Sequence, residues 1–152
     1  MRRTKLSGTR RGKRESVSSA KKKAWKAFSE YIRLRDSLRT TGTRTTARCI
    51  TCNGIQNTSG VGCIQAGHFI PGRNNSILFE ETNCHAQCPS CNIWGHGKQI
   101  EYFVRMEELY GREEIERLRT LSHQVRPWTP QELLEIKEKY EAKIKELNDP
   151  PS

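Results

Sequence analysis

The chain has 152 residues, of which 34% are hydrophobic and 29% charged, so it has room for one compact domain whose core is too small to hold itself without a staple. A formal net charge of +10 makes its surface attractive to polyanions, nucleic acid first among them. No run approaches the ~20 apolar residues of a membrane span, and the basic start of the chain lacks the apolar block of a secretory signal. The expectation is therefore a cytoplasmic protein with no membrane partner, in which paired cysteines bind metal rather than form disulfides.

Ten Lys or Arg residues fall among the first 23, interleaved with Gly, Ser and Thr, and residues 1–19 read as a flexible, disordered basic arm. Over 20–38 the residues Ala24, Trp25, Phe28, Tyr31, Ile32 and Leu38 recur at helical spacing, which predicts an amphipathic helix with its aromatic stripe in the core. A Thr-rich linker follows. The region 48–111 holds every cysteine and three of the four histidines, and few strong helix formers precede Cys88, so short strands and turns around a metal are expected there. A helical pattern returns over 99–110 and again over 113–121. Thr129 and Pro130 then open a last helix that carries Leu133, Ile136, Tyr140 and Ile144 as far as Asn148. Residues 112–152 form a helical C-terminal extension.

Cys49-x-x-Cys52 and Cys88-x-x-Cys91 are two knuckles, each placing two sulfurs on one side of a tight turn. Together they predict a closed structural Zn2+ site of four thiolates. A redox CxxC would need a βαβ setting that is absent, and Cys63 and Cys84 read as small buried residues. The 35 residues between the knuckles exceed the spacing of short zinc ribbons, so that interval must carry structure of its own. It contains Gly67-His68-Phe69-Ile70-Pro71 and ends in Asn83-Cys84-His85-Ala86-Gln87, which runs into the second knuckle and Asn92.

This arrangement resembles HNH endonucleases, whose ββα-metal motif is here framed by a four-cysteine zinc. More narrowly, AGHF, NCHAQCPSCN and EYFVRMEELYG resemble the NinG (Rap) recombination proteins of lambdoid phages. The resemblance covers roughly 48–111 and implies an α+β fold: a small ββα-metal core flanked by helices, following the basic arm. It implies a metal-dependent nuclease cutting DNA, with branched recombination intermediates as substrate, in the host cytoplasm if phage-encoded. A homodimer is compatible with the sequence.

Phosphodiester hydrolysis needs a base to activate water, a divalent ion to neutralise developing charge, and cations to hold flanking phosphates. His68, with its near-neutral intrinsic pKa, suits the base and matches the first His of the motif. Asn83 matches the Asn, expected to accept a hydrogen bond from the His68 ring. Asn92, expected at the start of the final helix of the motif, would bind catalytic Mg2+ or Mn2+. Gly67 departs from the family, which places Asp or His there as a metal ligand. Either His85, expected on the face shared by Asn83 and Gln87, supplies the missing ligand, or substrate phosphate and water fill the shell. In the alternative assignment His68 binds metal and His85 is the base; the family alignment favours His68. Arg73, Asn74 and Asn75 are candidate phosphate contacts; His96, four residues after Asn92, is a weaker candidate ligand on the same helical face, and His123, in the polar run Ser-His-Gln, reads as a structural residue. Two other readings stay open: a non-enzymatic zinc-finger module that binds nucleic acid, favoured by Gly67, and a homing or restriction-type HNH nuclease.

Overall fold

A computed structural model describes residues 14–71 and 75–152. Most of the basic arm, together with Arg73 and Asn74, lies outside these residues. The chain forms helix α1 (Val17–Thr41), strands β1 (Thr46–Arg48), β2 (Ile55–Asn57), β3 (Gln65–His68) and β4 (Cys84–Gln87), then helices α2 (Gln99–Tyr110), α3 (Arg112–Ser122) and α4 (Pro130–Asn148). It is a mixed α+β architecture with two small antiparallel ribbons, β1–β2 and β3–β4.

The first helix starts earlier and ends later than its apolar pattern suggests. The Ser16 side chain accepts a hydrogen bond from the Ser19 amide and caps it, so residues 17–19 belong to the helix and not to an arm. Gly42, at φ +70°, ends it in the left-handed conformation that glycine adopts without a Cβ penalty. Its small residues Ala20 and Ala24 let the start of α4 approach closely at Leu133, while Phe28 meets Tyr140 edge-on with ring centroids 4.9 Å apart. Just beyond the end of α1, Arg44 bonds Asn148 and the Leu147 carbonyl at the end of α4. The two helices therefore run side by side in the same direction. A full capping box at Thr129 and Glu132 fixes where α4 begins.

Short ribbons leave strand edges unpaired, and the free edge of β4 is satisfied by α1 and by the first knuckle. Asp36, buried, accepts from the Ala86 amide at 2.7 Å, and its neighbour Arg35 donates to the Cys84 and Glu81 carbonyls at 2.8 and 3.0 Å. The pair also bond each other, Arg35 Nε to Asp36 Oδ1 at 2.8 Å, so neither charge is buried alone. The Ile50 amide donates to the Ala86 carbonyl. Glu81, in the turn before β4, accepts from Tyr31 of α1 and from Tyr140 and Lys143 of α4, tying that turn to both helices. A separate apolar cluster of Phe69, Tyr102, Met106, Ile115 and Leu118 seats α2 and α3 on the other end of the β3–β4 ribbon.

Candidate functional site

The two knuckles come together as the spacing predicts. The sulfurs of Cys49, Cys52, Cys88 and Cys91 all lie within 4.8 Å of one another, and Cys52 Sγ and Cys88 Sγ are 3.8 Å apart. A tetrahedron of thiolates at the usual zinc distance has edges of about 3.8 Å, so the four fit such an ion. Backbone turns build the cage: the Asn53 amide returns to the Cys49 carbonyl, Asn53 itself takes φ +63°, and the Cys91 and Asn92 amides both turn back to the Cys88 carbonyl. Cys84 is fully buried and Cys63 half-buried, and neither joins the cluster.

The register of the second ribbon sorts the histidines. Gly67 pairs with His85 and His68 with Cys84, and cross-strand partners share a face while neighbours along a strand alternate. His68 therefore projects from the face opposite His85. Its ring stacks on Trp25 of α1, with centroids 5.0 Å apart and planes 26° from parallel, and its Nε2 donates to the Leu78 carbonyl at 3.0 Å. A carbonyl can only accept, so the Nε2–H tautomer is selected and the lone pair is left on Nδ1. Burial pushes the His68 pKa below its ordinary value, which keeps the ring neutral at neutral pH.

His68, Asn92 and His96 line one cleft of about 280 Å³, with Ala66 and Gly97 at its walls. The structure thus unites His68 and Asn92 with His96, the weaker candidate, which is exposed. It does not bring His85 there. That residue is buried, its Nδ1 3.0 Å from the Tyr102 hydroxyl and its Nε2 2.6 Å from the Tyr110 hydroxyl. Because Tyr102 donates to the Gly67 carbonyl at 2.7 Å, its oxygen accepts from His85 Nδ1–H, and Tyr110 must donate to Nε2. Both ring nitrogens are committed, leaving no lone pair for an ion or a water.

Asn83 also has a different partner from the one expected. It precedes β4 in the 3-10 turn Glu81–Asn83, and its carboxamide brackets Ile70, accepting from the amide and donating to the carbonyl, both at 2.9 Å. It fixes the backbone two residues beyond His68 and not the ring. Asn92 likewise sits in a single turn, Ser90–Trp94, and not at the head of a long helix. The chain reverses through His96, Gly97 and Lys98, all at positive φ, before α2 begins. Asn75, the remaining described candidate of its loop, accepts from Lys21 of α1. His123 is exposed and bonds the Arg119 carbonyl of its own helix. Two residues that matter to the cleft carried no sequence signal of that role: Trp25, read as core, and Leu78, which acts through its backbone.

The molecule so described is an α+β protein with a four-cysteine cluster able to hold a metal ion. The family model described as "Bacteriophage Lambda NinG protein" matches residues 2–149, and the chain belongs to the NinG family. It is 29% identical over 129 residues to Protein ninG of Escherichia phage 933W, covering 84% of this chain and 58% of that protein. It is 29% identical to Protein ninG of Salmonella phage P22 and 28% to that of Escherichia phage lambda, in each case over 84% of this chain and 57% of the relative. The chain thus spans little more than half the length of these relatives. No solved structure matches it.

Proposed function

We propose that the protein is a metal-dependent DNA endonuclease of the HNH type. The observation that carries this is the cleft in which His68, with its tautomer fixed by the Leu78 carbonyl, opens beside Asn92. In this reading His68 Nδ1 takes a proton from water and that water attacks the phosphorus. Asn92 would hold a magnesium or manganese ion, which when bound neutralises charge on the leaving oxygen. His85 and Asn83 are positioning residues: His85 holds Tyr102 against the Gly67 carbonyl, and Asn83 holds the turn after His68. Lys22 and Lys26, exposed within one turn of Trp25 on α1, supply cations for phosphates flanking the cleft. Trp94, 79% exposed two residues after Asn92, offers a face for stacking an unpaired base, as a branched substrate would present.

The test is cleavage of linear, forked and four-way DNA by the zinc-loaded protein with magnesium or manganese. Cutting of forked or four-way DNA in preference to linear duplex is the expected result. No cleavage of any structure with either ion would leave a zinc-bound nucleic-acid-binding module as the better account. Removing residues 1–13 deletes six Lys or Arg while sparing the Ser16 cap. It should weaken DNA binding and reduce the slope of log affinity against log salt by as much as about 0.9 for each phosphate that the segment neutralises. A salt slope equal to the parent's in a binding titration would show that this segment does not touch DNA.

A further inference from the structure

Gly67 is a glycine because another side chain occupies the space in front of it. A Cβ built there would collide with Gln87 Oε1 and press on Gln87 Cβ at 3.0 Å. Gln87 is completely buried, and its amide orientation is settled by its neighbours: Nε2 donates to the Gly97 carbonyl at 2.8 Å and to Thr51 Oγ1 at 3.2 Å. This turns Oε1 toward Gly67, where it has no hydrogen-bond partner among the described residues. A buried acceptor left bare is costly, so its retention calls for a ligand. Asn92 Oδ1 lies 3.1 Å from the same point, and Asn92 Nδ2 is turned away from it by donating to Gln65 Oε1 at 2.9 Å. Two amide oxygens, each oriented by what its nitrogen binds, thus converge on one space that no side chain at 67 fills.

We infer that a divalent cation binds between these two oxygens, with Gln87 Oε1 and Asn92 Oδ1 as its protein ligands. Hard cations such as magnesium and manganese take neutral carbonyl oxygens, and keep water or phosphate oxygens for the rest of their shell. The site lies on the face of the ribbon opposite His68, across the edge of β3. A phosphate laid along that edge would have the ion on one side and the histidine on the other. The role of the ion in cleavage rests on the nuclease reading; the site itself does not.

Titration of the zinc-loaded protein with Mn2+, followed by the electron paramagnetic resonance of the free ion, tests it. Gln87→Ala should weaken Mn2+ binding by about tenfold or more, the scale on which groups around a metal act, with zinc content unchanged. Adding Gly67→Asp to Gln87→Ala brings a carboxylate into the space that Gln87 Oε1 vacates and should restore the affinity. Because Gln87→Ala also removes two buried hydrogen bonds, Gly67→Ala is the companion should it misfold: the methyl pushes Gln87 Oε1 off its position without deleting the amide, and Mn2+ binding should again fall. Wild type that takes up no Mn2+, or folded Gln87→Ala or Gly67→Ala protein with wild-type affinity, would overturn the assignment. If such variants keep their affinity and wild type still cuts DNA, the nuclease reading survives alone. If wild type binds Mn2+ through Gln87 but cuts nothing, the site survives and the nuclease reading falls.

Discussion

His68→Ala will lower the rate of DNA cleavage by about 10²–10⁴, the usual cost of a lost general base, while zinc content and DNA affinity stay close to those of the parent. The structure separates these properties. The four sulfurs lie on the knuckles, apart from His68, and the ring makes its contacts with Trp25 and the Leu78 carbonyl. Losing the ring removes one hydrogen bond and one stacking partner at a half-buried position, which leaves the ribbon register to its backbone bonds and to Asn83. His85→Ala should behave differently. It opens a hole between Tyr102 and Tyr110, so its first effect is on thermal stability, with any loss of activity following from that. Wild-type cleavage by His68→Ala in matched metal would end the assignment of His68 as base.

Stripping the metal, or replacing Cys88 with Ser, should unfold the central region. The hydrophobic cluster beneath the knuckles consists of Ala47, Ile64, Ala86 and three of the four clustered cysteines. Little apolar surface remains there once the sulfurs are no longer tied together. Ribbons with strands of three and four residues are marginal on their own, whereas a structural zinc contributes apparent binding energies of about 10–16 kcal/mol. Hydrogen exchange should show this directly, as fast exchange at the Ile50 and Ala86 amides in chelator and slow exchange when zinc is restored. A purified protein free of zinc that kept those amides protected would refute the four-thiolate assignment.

The helices and the knuckles could be read along the chain because their determinants are local. An apolar stripe at 3.6 spacing marks α1 and α4, and Thr129 with Pro130 declares where α4 starts. The ends of α1 were less legible: Ser16 is an ordinary serine in a basic stretch, and Gly42 sits among threonines that also suit a linker. Alternation puts Asn83, His85 and Gln87 on one face; His85 and Gln87 do share a face of β4, whereas Asn83 lies in the turn before it. It could not say which face meets the cleft, because that depends on pairing with β3 and on two tyrosines supplied by α2. The break after Asn92 was visible in Gly95 and Gly97, but the positive φ of His96 and Lys98 that redirects the chain was not. Trp25 reads as core from its spacing and is partly that; its stacking on a histidine 43 positions later in the sequence is a product of tertiary packing alone.

The side-by-side run of α1 and α4 has a consequence for the order of events during synthesis. Trp25 can hold the His68 ring only when α1 is seated, and Ala20, Ala24 and Phe28 of α1 have their partners on α4. Such contacts close loops of more than a hundred residues, which form late. A ribosome that has made both knuckles but not yet Leu133 and Tyr140 carries a nascent chain able to bind zinc while α1 has only its bonds to the β4 segment and Phe79 to seat it. The timing of translation would then leave Trp25, and the His68 ring stacked on it, dependent on a helix packed along one side only until α4 emerges.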